Sequence, residues 1–395
     1  METIKKCRCC GGGLNDVIHF DSLPLAGLYY TKEGLKDCII GFPLTITVCS
    51  GCGLIQLGET VDSSIYKEYS YTGTFSESYA SYLDWVAAYM MEKYSIHDKN
   101  IIEIGSSNGY LLEKFNRNGN SVFGYEPSVK LTNEAIKRGI KSSDNYFSGA
   151  SISESGFDSV DLIIIRHVLE HIDNFRIIFE GINNILNDSG LVLIESPSIE
   201  KTVQNKIYSN FFHEHLNYFS EYTMVHLAGK FGYSLIEKRD VDIHGGSKFF
   251  VFKRNSASKG YNGELTNVDE GQMRKFCSSM PGYFNSIKEF VLSNSGKGFR
   301  ICGYGASHRT VMNLALTGLD SKIIKRLYDK NTYLSGKYIP WADIEITQPD
   351  YISIDKPDEI IIFAMSFEDE IAREISKNYG DSIKLISLKE YPHFL

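Results

Sequence analysis

The sequence is poor in the features that mark membrane-spanning and nucleic-acid-binding proteins. None of its apolar runs reaches the roughly 18 residues needed to cross a bilayer. The formal net charge is −8 and the pI is ≈ 5.7, so there is no excess of basic residues to neutralise phosphates. The first ten residues lack the apolar stretch of a secretory signal. These absences predict a cytoplasmic protein that binds neither nucleic acid nor a membrane.

Length and apolar patterning indicate a folded chain with more than one core. With 395 residues, of which 43% are hydrophobic, two or three domains are expected. Apolar strands alternate with helical segments from about residue 100, and a second such series begins at Gly298. The candidate strands of the first series are Ile101–Ile104, Val122–Tyr125, Leu162–Ile165, Leu191–Glu195 and Phe249–Phe252. This order predicts the α/β class with a mostly parallel sheet, and the polar segment Ser256–Gly263 is the expected linker.

Cysteine pairs near the N-terminus indicate a metal site. Cys7 with Cys10, and Cys49 with Cys52, form two C-x2-C knuckles with 38 residues between them. In a cytoplasmic protein such cysteines hold zinc more often than they form disulfides. Four thiolates fill a tetrahedral zinc site, so the metal is expected to be structural. Cys9 is a competing ligand next to the first pair.

A glycine-containing turn follows the first predicted strand of the α/β series. Residues 103–109 read E-I-G-S-S-N-G, in which a strand runs into a helix through a turn that a ligand can approach closely. The spacing differs from the G-x-G-x-x-G of dinucleotide-binding proteins and resembles motif I of class I methyltransferases. An acidic residue at the end of the next strand can accept both ribose hydroxyls of a bound nucleoside. The predicted contacts to S-adenosylmethionine are Glu103, Gly105, Ser106, Asn108, Gly109 and Glu126.

The segment Asp161–Ile172 resembles the D-x-I-x-x-x-x-V-L-E-H-I element of the same superfamily. It is expected to be a strand that runs directly into a helix, with His167 and His171 on one helical face. Arg166 and His167 are predicted to contact the cofactor, and His171 is predicted to act in catalysis.

Residues 210–220 place two histidines and a glutamate among aromatic side chains. An imidazole beside a carboxylate suits general-base catalysis, because the carboxylate fixes the tautomer and raises the basicity. We expect His215 to be the base and Glu214 its partner, whereas His213 is expected to pack. His244 precedes two glycines, which indicates backbone that passes close to a ligand or to another loop.

A second glycine loop, I-C-G-Y-G-A at 301–306, leaves two interpretations open. It could be a shortened dinucleotide fingerprint that binds NAD(P), with Asp329 on the ribose, although His308 stands where the third glycine would be. Alternatively, Ser307, His308 and Arg309 at a helix N-terminus could hold a pyrophosphate, since backbone N–H groups and a guanidinium suit that anion.

Together these motifs resemble one family over nearly the whole chain. They are similar to motifs of the bacterial nucleotide-deoxysugar C-methyltransferases, which include the C-3 methyltransferase of tetronitrose synthesis. The matching parts are the cysteine knuckles, Tyr66–Gly73, E-I-G-S-S-N-G, R-H-V-L-E-H-I, H-E-H-x-N-Y-F-S, H-G-G-S and G-Y-G-A-S. The resemblance implies a zinc-binding domain over 1–70, a class I methyltransferase domain with a Rossmann-like parallel sheet over 71–255, and a C-terminal Rossmann-like domain over 256–395. It also implies S-adenosylmethionine, a structural zinc ion, and a nucleotide-linked keto sugar (dTDP-, GDP- or CDP-type) held between the outer domains.

The resemblance also implies residue roles. The family's base and its assisting glutamate match His215 and Glu214, while His171 and a tyrosine at position 69 or 71, with Tyr71 preferred, face the sugar. The predicted substrate contacts are Tyr69, Phe212, Asn217, His244, Ser307, His308 and Arg309. Two departures concern the acceptor. Phe212 replaces a family tyrosine, and residues 305–310 read G-A-S-H-R-T where the family has G-A-x-A-K-G.

Three alternative functions remain open at this level. The first is O- or N-methylation of a nucleotide sugar or a related polysaccharide precursor. The second is a zinc scaffold without catalysis, and the third is an NAD(P)-dependent reductase. A monomer and a small homo-oligomer are both compatible with the sequence.

Overall fold

The computed structural model describes residues 1–37, 41–61, 77–254 and 261–388. Tyr69 and Tyr71, the predicted substrate-facing tyrosines, lie outside these ranges. Within them, no helix is both long and apolar enough to cross a membrane.

The N-terminal part forms a small antiparallel sheet. Its strands are β1 Glu2–Thr3, β2 Leu14–Leu23, β3 Phe42–Cys49, β4 Ile55–Leu57 and β5 Glu59–Thr60, joined by β11 Asn217–Tyr218 from later in the chain. The order is β11-β4-β3-β2, and β1 pairs separately with β5. Leu44, Ile46 and Val48 alternate along β3, so they point to one face and pack in a core shared with the C-terminal part.

The central sheet has seven strands in the order β12-β13-β10-β9-β6-β7-β8. They are β6 Asn100–Ile104, β7 Ser121–Tyr125, β8 Ser142–Ser143, β9 Val160–Arg166, β10 Leu186–Pro197, β12 Tyr233–Val241 and β13 Ser247–Arg254. Strand β13 is the one strand of this sheet with the opposite direction, and it pairs antiparallel with β10 and with β12. The mostly parallel sheet is thus present, and the buried apolar run Leu162–Ile165 lies at its centre because helices cover both faces.

Six helices belong to this central region, and one predicted helix is missing. The helices are α1 Glu77–Tyr94, α2 Tyr110–Arg117, α3 Val129–Lys137, α4 Phe175–Ile185, α5 Ile199–Gln204 and α6 Glu221–Lys230. The prediction of a helix directly after β9 is wrong. Between β9 and α4 the chain forms only a short 3-10 turn, Leu169–His171. His167 adopts φ 52°, a left-handed conformation that a helix cannot continue through. His167 and His171 therefore do not share a helical face.

The C-terminal part is a second α/β unit of Rossmann-like order. Its strands are β14 Ile301–Tyr304, β15 Ile324–Tyr328, β16 Tyr338–Ile339, β17 Ile344–Thr347, β18 Glu359–Ile362 and β19 Lys384–Ser387. Its helices are α7 Glu270–Gly296, α8 His308–Thr317, α9 Ile352–Asp355 and α10 Glu368–Tyr379. The sheet order is β16-β17-β15-β14-β18-β19, with parallel pairing except at β16.

Backbone contacts join the three parts. Strand β11, which follows the histidine-rich loop, pairs antiparallel with β4 of the N-terminal sheet. Tyr30 forms an isolated bridge with Tyr338, so the N-terminal part also meets the C-terminal sheet. The loops after β6, β9 and β14 line one common cavity.

Candidate active site

One large cavity lies where the three parts meet. Its volume is about 2230 Å³, and its wall includes Gly27 from the N-terminal part and Gly305 from the C-terminal part. Ordinary small-molecule pockets measure about 300–1,000 Å³, so this one has room for two ligands of nucleotide size. The predicted site residues that line it are Glu103, Gly105, Ser106, Asn108, Glu126, Arg166, His167, His171, Phe212, Glu214, His215, His244, Ser307, His308 and Arg309.

The four knuckle cysteines form a compact cluster outside this cavity. Sulfur atoms of Cys7, Cys10, Cys49 and Cys52 all lie within 4.8 Å of one another. The Cys7–Cys52 sulfur distance is 3.6 Å and the Cys10–Cys49 distance is 3.4 Å. A tetrahedral zinc with bonds near 2.3 Å requires sulfur–sulfur distances of about 3.8 Å, so the cluster fits this ion. Cys9 lies at the edge, within 4.8 Å of Cys52 and His226.

The first knuckle is connected to the active site through Arg8. Its guanidinium, almost fully buried, donates to Asp173 Oδ1 at 2.6 Å, to the Leu57 carbonyl at 2.6 Å and to Thr60 Oγ1 at 2.6 Å. Asp173 follows His171 by two residues on the cavity wall. The zinc cluster therefore anchors the segment that carries one of the predicted catalytic histidines.

Replacing Arg8 by alanine should destabilise the protein and lower its turnover. The Leu57 carbonyl and Asp173 lose a charged donor, which costs about 1–3 kcal/mol in the free energy of unfolding. Urea unfolding and steady-state turnover measure the two effects. Arg176→Ala is the matched control, because within the described ranges the Arg176 side chain pairs with Glu180 alone, in an exposed contact on its own helix. Equal stability and equal turnover of the two variants would show that Arg8 does not anchor the segment that carries His171.

The glycine turn after β6 is shaped for a close ligand. Gly105 has φ 75°, and a Cβ there would lie 2.3 Å from Val168 Cγ2, so only glycine fits. At the end of β7, the Glu126 carboxylate accepts the Ser107 N–H and the Ser128 N–H, each at 2.9 Å. Each carboxylate oxygen can accept a second bond, which suits vicinal ribose hydroxyls.

Two polar atoms beside this turn have no protein partner. Oε2 of Glu103 and Oγ of Ser106 are buried and form no hydrogen bond within the described residues. Burial raises the pKa of Glu103 to about 8, which favours the protonated carboxyl group. Unsatisfied buried groups are rare in native proteins, and both of these line the cavity. They fit a polar ligand such as S-adenosylmethionine.

Arg166 and His167 both form ion pairs with Glu195. The sequence pattern indicated Glu195 only as the end of a strand. Arg166 Nε donates to Glu195 Oε2 at 3.0 Å, and His167 Nε2 lies 2.8 Å from Glu195 Oε1. Burial alone would lower the pKa of His167, but Glu170 and Glu195 raise it to about 9. His167 is therefore a cation in the cavity wall. That Arg166 and His167 also contact the cofactor stays a prediction.

The catalytic histidines lie side by side, but Glu214 has a different partner from the one expected. Its Oε1 accepts the Gly27 N–H at 2.8 Å, and its Oε2 is buried without a hydrogen-bond partner among the described residues, so neither oxygen bonds to the His215 ring. Instead, the backbone carbonyl of Glu214 accepts from His171 Nδ1 at 2.7 Å, which leaves Nε2 of His171 as the acceptor nitrogen. The rings of His171 and His215 meet edge to face with centroids 4.9 Å apart.

The surroundings of His215 keep its imidazole neutral. Burial lowers its pKa well below the usual range, and the neighbouring His171, His308 and Arg309 act in the same direction. The Phe212 ring lies 4.1 Å from the His215 ring and 5.2 Å from the His308 ring, measured between centroids. A neutral imidazole is the form that can take up a proton.

Three residues of the same motifs serve the fold instead of the cavity. Asn217 is fully buried outside the cavity wall and donates to the carbonyls of Leu169 and Ile172, so its predicted contact with substrate stays a prediction. Gly109 lies outside the cavity wall, and a Cβ there would come within 2.9 Å of Ala135, so it is a packing glycine. His213 is buried and its Nε2 donates to the Pro43 carbonyl, which agrees with a packing role.

The C-terminal loop repeats the geometry of the first glycine turn. The Ala306 N–H donates to Asp329 Oδ2 at 2.7 Å, and Gly305 has φ 93°. Ser307 caps α8, so the N-terminus of this helix opens on the cavity. Arg309 donates to the His244 carbonyl, which joins the loop to the central domain. Whether Ser307, His308 and Arg309 bind substrate stays a prediction.

Three protein-family models match consecutive parts of the chain. "Putative zinc binding domain" matches 7–66, "Methyltransferase domain" matches 77–238 and "C-methyltransferase C-terminal domain" matches 242–387. The chain is an S-adenosylmethionine-dependent methyltransferase. It has the class I methyltransferase fold, uses S-adenosylmethionine as cofactor and carries a zinc-binding module, and its domain set is that of C-methyltransferases.

Known proteins similar to this methyltransferase include one of nearly equal length. C-methyltransferase NovU from Streptomyces niveus is 26% identical over 400 residues, which cover 96% of this chain and 95% of that protein. Among solved structures, magnesium protoporphyrin IX methyltransferase from Synechocystis PCC 6803 with bound SAH is 15% identical over 49% of this chain and 100% of its own, with a TM-score of 0.39. N-methyltransferase NodS from Bradyrhizobium japonicum WM9 is 14% identical over 46% and 98%, with a TM-score of 0.35.

Proposed function

We propose that this methyltransferase methylates a carbon atom of a nucleotide-linked keto-deoxysugar, with His215 as the base. The observation that carries the proposal is the position of His215. It lies in a single cavity that extends from the Gly105 turn to the Gly305 loop. The first turn fits the methyl donor and the second loop offers a helix N-terminus to a phosphate group. The base lies in the wall between them.

Carbon methylation requires a carbanion equivalent, which a neighbouring ketone makes accessible. His215 takes the proton from the carbon next to the ketone, and the C–H electron pair moves toward the carbonyl oxygen to give an enolate. S-adenosylmethionine supplies a methyl group on a positively charged sulfur, an electrophile that such a carbon can attack. The fixed cavity holds the two reactants at short range.

The positive charge of Arg309 near His215 favours the enolate. The charged Arg309 guanidinium lies close enough, with His171 and His308, to lower the pKa of the base. The same charge stabilises an oxygen that becomes negative during the reaction. A hydroxyl or amine acceptor would need no enolate, and therefore no such stabilisation of a carbonyl oxygen.

Phe212 and His308 set the acceptor's surroundings in the proposed site. Their rings stack at an interplanar angle of 29° on one side of His215. Burial lowers the pKa of His308 to about 3, so it faces the cavity as a neutral ring that can donate or accept a hydrogen bond. These two residues replace family residues in the resemblance, and we propose that they determine which sugar is accepted.

Glu126→Ala should weaken S-adenosylmethionine binding by about tenfold to a hundredfold, since a hydrogen bond to a charged group contributes about 1.5–3 kcal/mol. The variant also frees the Ser107 and Ser128 N–H groups that shape the turn. Isothermal titration with S-adenosylmethionine measures the dissociation constant. Glu134→Ala is the control and should bind normally, because Glu134 lies on helix α3, which follows Glu126 in the chain, and outside the cavity wall. Unchanged affinity in Glu126→Ala would place the cofactor elsewhere.

The proposal as a whole is tested by product analysis. The protein is incubated with S-adenosylmethionine and a panel of nucleotide-linked 4-keto sugars, and products are identified by mass spectrometry and NMR. A new carbon–methyl bond supports it, a methyl group on oxygen or nitrogen supports the heteroatom alternative, and a failed cofactor titration supports a non-catalytic scaffold.

A further inference from the structure

Glu170 is a buried carboxylate that pairs with His167 through one of its two oxygens. It lies in the 3-10 turn Leu169–His171 with 1% of its surface exposed, and it lines the active-site cavity. Its Oε1 pairs with the His167 ring at 3.4 Å, whereas its Oε2 has no hydrogen-bond or ion-pair partner among the described residues. A buried carboxylate in that state costs stability, so a residue of this kind in a cavity wall points to a function there.

Imidazole rings surround this carboxylate. His167 Nδ1 lies 3.4 Å from Glu170 Oε1. One oxygen of Glu170 and one ring nitrogen each of His171 and His215 lie within 4.8 Å of one another. In Glu214, Oε1 accepts the Gly27 N–H, and Oε2 is buried without a hydrogen bond to the described residues. Of the two glutamates in the catalytic motifs, Glu170 is the one with an oxygen within 4.8 Å of a ring nitrogen of both His171 and His215, in addition to its pairing with His167.

We propose that Glu170 is the positioning residue for the base: its carboxylate holds His215 and stabilises the imidazolium that forms when His215 takes the substrate proton. The inference rests on the proposed function of His215. The proton leaves the substrate carbon and binds to the ring nitrogen, the C–H electron pair passes into the enolate, and the new positive charge lies beside a negative one.

The chemistry of the surroundings explains why such a carboxylate is needed. Arg309 and the His167 cation both disfavour a second positive charge on His215. Without a counter-charge, an imidazole so placed would be a weak proton acceptor. A carboxylate within a few ångströms restores its basicity, because an opposite charge favours the protonated ring. Glu170 supplies this charge from inside the same turn that carries His171.

The test compares Glu170→Gln with Glu170→Asp and with Glu237→Gln. Glu237 is another glutamate of the central domain, 9% exposed against 1% for Glu170, and it binds Tyr89 and Tyr94 away from the cavity, so its variant controls for a largely buried Glu-to-Gln change. Exchange of the substrate C–H in heavy water measures enolisation separately from methyl transfer. We expect Glu170→Gln to lower both the exchange rate and kcat by about 10²–10³-fold. KM and the affinity for S-adenosylmethionine should change by about twofold at most, and Glu170→Asp should recover part of the rate.

Several results would overturn the inference. Wild-type exchange in Glu170→Gln would show that the base needs no carboxylate there. Loss of cofactor affinity alone would mean that Glu170 contacts the methyl donor. A third result concerns metal binding. If the wild type needs an added divalent cation for activity, and Glu170→Gln no longer binds that cation, then Glu170, His171 and His215 hold a metal. If the wild type itself neither exchanges nor methylates a keto sugar, the proposed function fails instead. A fall in thermal stability that matches the fall in activity would assign Glu170 a structural role.

Discussion

His215→Asn is expected to lower kcat by about 10²–10⁴-fold, the usual contribution of a general base. Asparagine keeps a polar group of similar size against Phe212 but cannot take up a proton. Because His215 lies apart from the Gly105 turn, the affinity for S-adenosylmethionine should stay within about twofold of the wild type. Single-turnover kinetics with saturating methyl donor, together with a binding titration, measure both quantities.

Two comparisons make the His215 result specific. His97→Asn changes an exposed histidine before β6 and should leave turnover unchanged. His171→Asn should reduce turnover less than His215→Asn does, since His171 donates to the Glu214 carbonyl and acts mainly on the shape of the loop. If His215→Asn methylates at the wild-type rate, another group removes the proton and the mechanism proposed above is wrong.

Cys49→Ser is expected to remove the zinc ion and to unfold the N-terminal module. Zinc binding contributes about 10–16 kcal/mol to the folding of small zinc domains, so losing one of four thiolates costs a large part of the stability of this sheet. Cys49 ends β3, whose apolar face packs in the core shared with the C-terminal part. The damage should therefore spread to the active site through Arg8 and through β11, and turnover should fall with zinc content.

Zinc content and thermal unfolding of purified variants measure this effect. Cys9→Ser is the matched control, since Cys9 lies beside the four-sulfur cluster but outside it. It should retain about one zinc ion per chain, as a complete four-thiolate site predicts. Loss of zinc in Cys9→Ser, or its retention in Cys49→Ser, would assign the metal to the neighbouring group of Cys9, Cys52 and His226.

The sequence predicted those parts of the fold that depend on local patterns. The apolar run Leu162–Ile165 predicted a central strand because a strand buried on both faces must be apolar at every position, and the structure has β9 Val160–Arg166 there. The two C-x2-C knuckles predicted the cysteine cluster, since ligand spacing within a turn is a local property. The reversed strand β13 was not predicted, because strand direction depends on tertiary pairing.

The errors in the site have a common physical cause. The segment V-L-E-H-I has helical spacing, but the left-handed conformation of His167 ends β9 without a helix, and backbone angles of this kind are not encoded in periodicity. Glu170 was missed because a glutamate between Leu169 and His171 suggests a solvated side chain. The pairing of Glu214 with His215 followed from adjacency in sequence. In the structure its carboxylate reaches Gly27, 187 residues away, which only the fold can bring close.

The measurement that tests the central claim most directly is NMR analysis of the reaction in heavy water. The wild-type protein is given S-adenosylmethionine and the 4-keto sugar nucleotide that reacts fastest in the panel, and the position of the new methyl group is determined together with deuterium in the recovered substrate. The account predicts a methyl group on the carbon next to the ketone and enzyme-dependent exchange at that carbon, both greatly reduced in His215→Asn. A methyl group on oxygen or nitrogen, formed with no exchange at carbon, would contradict it.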